Sequence, residues 1–275
     1  MARFKLHIEY EGTRYSGWQV QKNARTVQGE LLAALRTVLG TNEVDVQGAG
    51  RTDAGVHALH QVAHLEAQTM LAPEIIRMKV NDLLPADVNL LEVEKAHERF
   101  HARHDATARR YLYRISRRRT AFGKRYVWWV KDALDVTRMQ SALPHFTGMK
   151  DWRAFSDADP EETSTRALID SVSVTEDGEL ILIRIAGSHF LWKLVRRIVG
   201  ILVEVGRGKL APEEIPGLFK DTTGVVAHHT APPSGLFLED VEYGTDKAPG
   251  TVRKPPFLEE RRGGRRPQRR VHHGR

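Results

Sequence analysis

Hydrophobic periodicity switches between two and 3.6 residues in the same order twice along this chain, and that repetition limits the available folds more than any other feature. Phe4, Leu6, Ile8 and Tyr10 alternate with polar or charged residues, which is the pattern of a half-buried strand. Thr26 then offers an N-cap to a segment whose Val27, Leu31, Leu32, Leu35, Val38 and Leu39 share one helical face, and Gly40 supplies the stop. Val44 and Val46 predict a short strand and His60–Glu66 another. Pro73 suits the first position of a helix running to about Leu84, and Val88–Val93 reads as a closing strand.

The second half repeats the plan loosely. Tyr111–Ile115 predicts a strand and Leu134–Phe146 a helix. Val172–Val174 and Leu180–Ile185 flank Glu176-Asp177-Gly178, a hairpin turn signal. A long helix over Phe190–Val205, a short one after Pro212 and a strand over Leu236–Val241 complete it. The expected fold class is α+β: two ferredoxin-like β-α-β-β-α-β halves with a central antiparallel sheet, helices packed on it and an active cleft between the halves. Their expected bounds are 1–105 and 106–245.

Residues 246–275 differ in kind. They are rich in Arg, Pro and Gly, lack periodicity and read as a disordered basic tail. Of the 42 Lys/Arg and 35 Asp/Glu in the chain, ten and three fall there, leaving 32 of each sign before it. The formal charge of +7 therefore belongs to the tail, and any affinity of the body for nucleic acid must come from local clusters such as Arg109-Arg110, Arg114, Arg117-Arg118-Arg119 and Arg196-Arg197. There is no cysteine, which excludes disulfides, thiolate metal sites and thiol catalysis. No apolar run suggests a membrane span and the first residues carry no secretion-signal pattern, so a cytoplasmic location is expected.

Wound at about 100° per residue, the 190–205 helix gathers its apolar residues into one half-circle. Lys193, Arg197 and Glu204 fall opposite, on a face expected to be solvated. Arg196 sits at the edge of the apolar arc, where a guanidinium is expected to be partly buried and to need a carboxylate partner.

Three chemistries compete for the segment Val44–Glu66, VDVQGAGRTDAGVHALHQVAHLE. Gly48-Ala49-Gly50 follows a strand, but Asp53 occupies the third glycine position of a dinucleotide fingerprint and would repel a pyrophosphate. His57, His60 and His64 with Asp53 could supply zinc ligands for a hydrolase. In a strand, however, His57 points away from the other two, and thirteen histidines make chance clustering easy. The third reading is a single carboxylate, Asp53, on a turn eased by Gly50 and Gly55, with Arg51 keeping it ionised for work at a sugar carbon. An Asx turn, in which Asp53 only bonds backbone amides, explains the same residues. Both stay open from the residues alone.

At this point the chain resembles a known family. Gly50-Arg-Thr-Asp-Ala-Gly-Val-His-Ala58 resembles the signature of the TruA-type tRNA pseudouridine synthases. Further blocks agree in order: Tyr10-Glu-Gly-Thr13, Gly17-Trp-Gln-Val-Gln21, Leu83-Leu-Pro85, Phe100-His-Ala-Arg103, Arg110-Tyr-Leu-Tyr-Arg114, Val195-Arg-Arg-Ile-Val-Gly200 and Gly235-Leu-Phe-Leu238. The resemblance spans about residues 3–243. It departs at Trp192-Lys-Leu194, where the family more often carries His or polar residues followed by Met, and at Pro233.

The resemblance implies an isomerase that converts uridine to pseudouridine in the anticodon stem-loop of tRNA, at tRNA positions 38, 39 and 40, without cofactor or metal. It implies Asp53 as the catalytic carboxylate and Tyr111 against the everted base. Arg51 would contact RNA and help evict the base, Arg196 would pair with Asp53, and Leu236 would press on the ring from the apolar side. The partners it implies are tRNA and a second copy of the chain in a homodimer. Besides the zinc hydrolase, a non-catalytic RNA-binding module is a rival reading, since ferredoxin-like units can present a sheet to RNA.

Overall fold

The alternating N-terminal segment forms strand β1 (Ala2–Tyr10) of a computed structural model that describes residues 1–159 and 164–244. The basic segment 246–275 lies outside the described residues. Helix α1 (Val27–Leu39), β2 (Val44–Gly48), β3 (His57–Ala67), α2 (Pro73–Asn81) and β4 (Val88–Lys95) follow in the expected order. The Thr26 side chain accepts from Gly29 N, and Gly40, at φ +66, returns its N–H to Arg36 O, so both ends of α1 are closed by the residues that announced them.

Next come β5 (Ala106–Ser116), β6 (Trp128–Trp129), α3 (Val136–Ser141), β7 (Gly148–Asp151), β8 (Arg166–Asp177), β9 (Leu180–Gly187), α4 (Leu194–Gly206) and β10 (Leu236–Tyr243). The helix expected over 134–146 is shorter than its pattern. It stops at Ser141, and Leu143–Phe146 form a 3₁₀ turn. Pro144 has no N–H to continue an α-helix and crowds the residue before it.

All strands join one sheet in the order β4-β1-β3-β10-β5-β9-β8-β7, with β2 on β3 and β6 on β5. The sheet is not wholly antiparallel, contrary to expectation. β10 runs parallel to β3 through Phe237↔His57 and Leu238↔Ala58, and β6 runs parallel to β5. The first of these short parallel seams joins the N-terminal strands to the C-terminal ones. One hydrophobic core crosses it: Phe4, Leu6 and Ile8 of β1 pack in the same cluster as Leu31 and Leu35 of α1 and Leu194, Ile198 and Leu202 of α4. Each of these side chains, fully withdrawn from water, contributes on the order of 2 kcal/mol before conformational entropy is counted. Leu59, Leu112 and Phe237 form a smaller cluster of their own, flanked by Tyr126 and Leu182.

Helix α4 corrects two expectations. It begins at Leu194 rather than Phe190, because Lys193 adopts φ +64 and breaks the helical path. The face carrying Arg197 and Glu204 is not solvated. Both residues are buried; Arg197 pairs with Asp157 and Glu204 with Arg207. The segments around Arg153–Phe155 and Val225–His228 lie against the helix, so all of it but Arg196 is buried.

Candidate active site

The glycine-rich segment becomes the loop between β2 and β3, and nearly every residue of it is tied down. Ala49 N donates to Val62 O, and Ala49 O accepts from the Arg109 guanidinium at 2.9 Å. Gly50 O accepts from Gln61 Nε2 at 2.9 Å. The Thr52 hydroxyl lies 2.8 Å from the Tyr10 phenol, and Thr52 O accepts from Trp18 N at 3.1 Å. Gly55, at φ +78, donates its N–H to Tyr15 O at 3.2 Å. Gly50 meets no neighbour that would exclude a side chain; the glycine that shapes the loop from outside is Gly17, whose backbone abuts Thr52 O. An Asx turn would claim the Gly55 amide for the Asp53 side chain, and that amide is spent on Tyr15. The Asp53 carboxylate is thus held away from its own turn.

It points at a cation. Arg196, in the first turn of α4, places Nη1 2.9 Å from Asp53 Oδ2 and Nε 2.7 Å from Ala231 O, while Ala231 N returns a bond to Arg196 O. The helix edge therefore delivers the carboxylate partner its pattern called for. The Asp53 and Arg196 side chains keep 22% and 14% of their surfaces exposed, so the pair is sheltered but open to one side. The charge at bonding distance from Asp53 is that of Arg196. Arg51, two residues away, reaches Gln19 Oε1 at 3.0 Å and Asp159 Oδ2 at 3.5 Å, which corrects the expectation that Arg51 fills this role.

The open side is a cavity of about 950 Å³ between the N-terminal and C-terminal strands, near the upper end of the roughly 300–1,000 Å³ typical of ligand sites. Asp53, Arg51, Tyr111, Arg196 and Leu236 all line it. Tyr111 stands on β5 with its ring edge-on to Phe190 at 4.9 Å. Burial first, and the nearby Asp53 charge in addition, push its phenol up to about 12 against the opposing pull of Arg109, so it stays neutral at physiological pH. Leu236, the first residue of β10, is nearly buried and supplies an apolar wall.

One residue that sequence grouping assigned to a surface basic cluster belongs to the site. Arg109 is buried, and its guanidinium donates to four backbone carbonyls, those of Ala49, Arg103, Ala106 and Ser188. Burial presses its pKa down. It shares a strand face with Tyr111 two residues on, and that parity is the signal that could have found it. With Arg51, Arg103, Lys193 and Arg196 it gives the cavity five cationic side chains against Asp53 and Asp159. Such a cleft favours a polyanion.

The histidines do not converge. His57 Nδ1 accepts from Gly12 N at 3.0 Å and its Nε2 donates to Arg125 O at 3.1 Å, so both nitrogens are committed in the neutral form. His60 bridges His7 and Asp240, and His64 Nδ1 accepts from Ala102 N at 3.1 Å. Among the described residues the group whose ligand atoms could meet at an ion is His7, Glu92 and Glu94, which uses none of the three. The arrangement of these histidines does not support the zinc reading. No helix among the described residues is long and apolar enough to cross a membrane.

A family model described as tRNA pseudouridine synthase matches residues 6–105 and 142–244. The chain is 42% identical over 245 residues to tRNA pseudouridine synthase A of Geotalea uraniireducens, covering 88% of this chain and all of that one. It is 37% identical over 246 residues to tRNA pseudouridine synthase A 2 of Bacillus cereus, with the same coverage. A solved Cbf5–Nop10–Gar1 complex overlaps 71% of this chain and 46% of that one at 13% identity, with a TM-score of 0.32.

Proposed function

Since the chain belongs to the tRNA pseudouridine synthase family, we propose that the Asp53 cavity is where it isomerises uridine to pseudouridine in tRNA. The reaction breaks the bond between ribose C1′ and uracil N1 and joins C1′ to C5 of the turned base. A proton leaves C5, another reaches N1, and nothing is oxidised or reduced. One observation carries the assignment: the carboxylate of Asp53 faces an open cavity, paired with Arg196 at 2.9 Å, instead of capping its own turn.

A base inside a stem-loop cannot reach such a carboxylate while stacked, so the target nucleotide turns out of the helix into the cavity. There Asp53 acts at the ribose–uracil junction, and Arg196 holds its carboxylate in register. Tyr111, neutral and braced by Phe190, lies against the base, with Leu236 as the apolar wall on the other side. Arg51 engages the backbone of the RNA and helps hold the everted state. The substrate region is the anticodon stem-loop, read by shape and phosphates more than by sequence. The working unit is a homodimer.

The two sets of strands are read as ferredoxin-like repeats, bounded near residue 105. The orders β4-β1-β3-β2 and β10-β5-β9-β8 support this, because each places the first strand of its set beside the fourth and third.

The test is to incubate the protein with an unmodified tRNA transcript and no additive, and to map pseudouridine at single-nucleotide resolution. Asp53→Asn is expected to abolish product while tRNA binding and thermal stability persist. Substantial product from that variant would remove Asp53 from the chemistry.

A further inference from the structure

The segment from Phe190 to Lys193 links β9 to α4 along the rim of the cavity and treats its aromatic residues unequally. Phe190 packs on Tyr111 and Leu191 is buried, but Trp192 keeps 47% of its surface exposed while lining the cavity. Among the described residues two others of comparable kind are exposed, Phe122 and Trp129, and neither lines this opening. What sets Trp192 apart is its place: its indole presents an aromatic face at the mouth of a cationic cleft.

Its position is built. Lys193 adopts φ +64; besides Asn23 it is the only non-glycine residue with positive φ among those described. Asparagine tolerates that conformation through local hydrogen bonding, and lysine has no such help. What holds it is Asp157, whose N–H donates to Trp192 O at 3.1 Å and whose carboxylate takes Lys193 Nζ at 2.6 Å and the Arg197 guanidinium. Lys193 Nζ in turn lies 5.0 Å from the Trp192 ring centre. Backbone strain fixed by ion pairs at a cavity mouth is the pattern expected of a contact residue.

We infer that Trp192 is a stacking platform for an unpaired base adjoining the target uridine. The inference rests on the RNA reading of the cavity. An indole face accepts any nucleobase, and its neighbouring ammonium suits the phosphate that accompanies the base. Eversion of the uridine unstacks its neighbour, and the indole replaces the lost partner. Trp192 thereby acts on affinity and on the choice of nucleotide, while Asp53 acts on the bond.

The experiment places 2-aminopurine beside the target uridine in a tRNA transcript and uses Asp53→Asn protein as a complex that does not turn over. Stacking on Trp192 quenches the probe; adding Trp192→Ala restores much of its emission, and Trp192→Phe restores less. In the Asp53 background, Trp192→Ala raises KM for tRNA about tenfold, the lower part of the range for losing one stacked base, with kcat nearly unchanged. The salt slope of binding is also unchanged, because no ionic contact is lost. Trp129→Ala serves as the control with no effect. Equal quenching and equal KM in Trp192→Ala would overturn the inference, as would a fall in kcat at constant KM. If unsubstituted protein forms no pseudouridine at all, the fault lies with the proposed function and is seen separately.

Discussion

Replacing Gly17 with alanine probes how tightly the Asp53 loop must be held. Gly17 sits at φ +97, and a Cβ built there would lie 2.5 Å from Thr52 O, 3.2 Å from the Asp53 carbonyl carbon and 3.3 Å from Ala54 N. Carbon–oxygen approaches settle at about 3.3 Å or beyond. The loop must therefore retreat by about 0.8 Å, and it cannot do so freely, because Trp18 N and Tyr15 O bind it from the same side. A displacement near 1 Å at the reacting group costs on the order of 100-fold in rate, or about 2.7 kcal/mol of barrier. The left-handed backbone adds a stability cost of about 1–2 kcal/mol for a residue with a side chain. Gly40 supplies the control: it shares the positive φ, but a Cβ there meets nothing within 4 Å. Gly40→Ala is expected to lose similar backbone stability and no turnover. The assay is single-turnover pseudouridine formation on a saturating tRNA transcript, alongside urea unfolding of both variants. Gly17→Ala turning over like wild type, with the stability loss of Gly40→Ala, would refute the claim that this contact positions Asp53.

Other expectations concern the frame around the site. Burial, with His101 and Arg3 nearby, pushes His64 down to about 4, while the unfolded chain takes its proton near 6.5. The unfolded state therefore binds more protons between those values, and stability falls as pH drops from about 6.5 through about 4 and is level above. His64→Asn should flatten that segment of the urea-unfolding profile, and an unaltered slope would assign it to other groups. Arg197→Met should lower stability by about 3 kcal/mol, the smaller end of the range for breaking a buried pair, since Asp157 keeps Lys193; a loss below about 0.5 kcal/mol in thermal unfolding would return Arg197 to a solvated face. Deleting residues 246–275, which hold ten Lys/Arg, should leave turnover on saturating tRNA intact and flatten the salt dependence of binding. An identical salt slope would show those charges to be bystanders.

What the sequence disclosed was whatever depends on neighbours in the chain. The alternation of β1, the Thr26 and Gly40 caps of α1 and the edge position of Arg196 on α4 all follow from local geometry, and the structure repeats them. What it concealed depends on distant partners. Arg197 looked solvated because its cover comes from Asp157, 40 residues earlier. Arg109 looked like part of a surface cluster because carbonyls from four separate positions, not a nearby carboxylate, satisfy it. Arg51 seemed the natural neighbour of Asp53 by spacing, yet the turn sends it to Gln19 and Asp159. The late start of α4 hinged on a lysine in a conformation lysine seldom takes, and no periodicity records that.

The place of β10 governs when this enzyme can exist at all. Asp53, Arg51, Tyr111 and Arg196 have all left the ribosome before Leu236 does, yet β5 stays bare along one edge, and β3 at His57 and Ala58, until Leu236–Tyr243 slots between them. A nascent chain thus carries the cavity-lining residues early and closes its sheet only with β10, with the β5 border prone to pair with the wrong molecule meanwhile. Interrupted synthesis yields an aggregation hazard, not a weaker synthase.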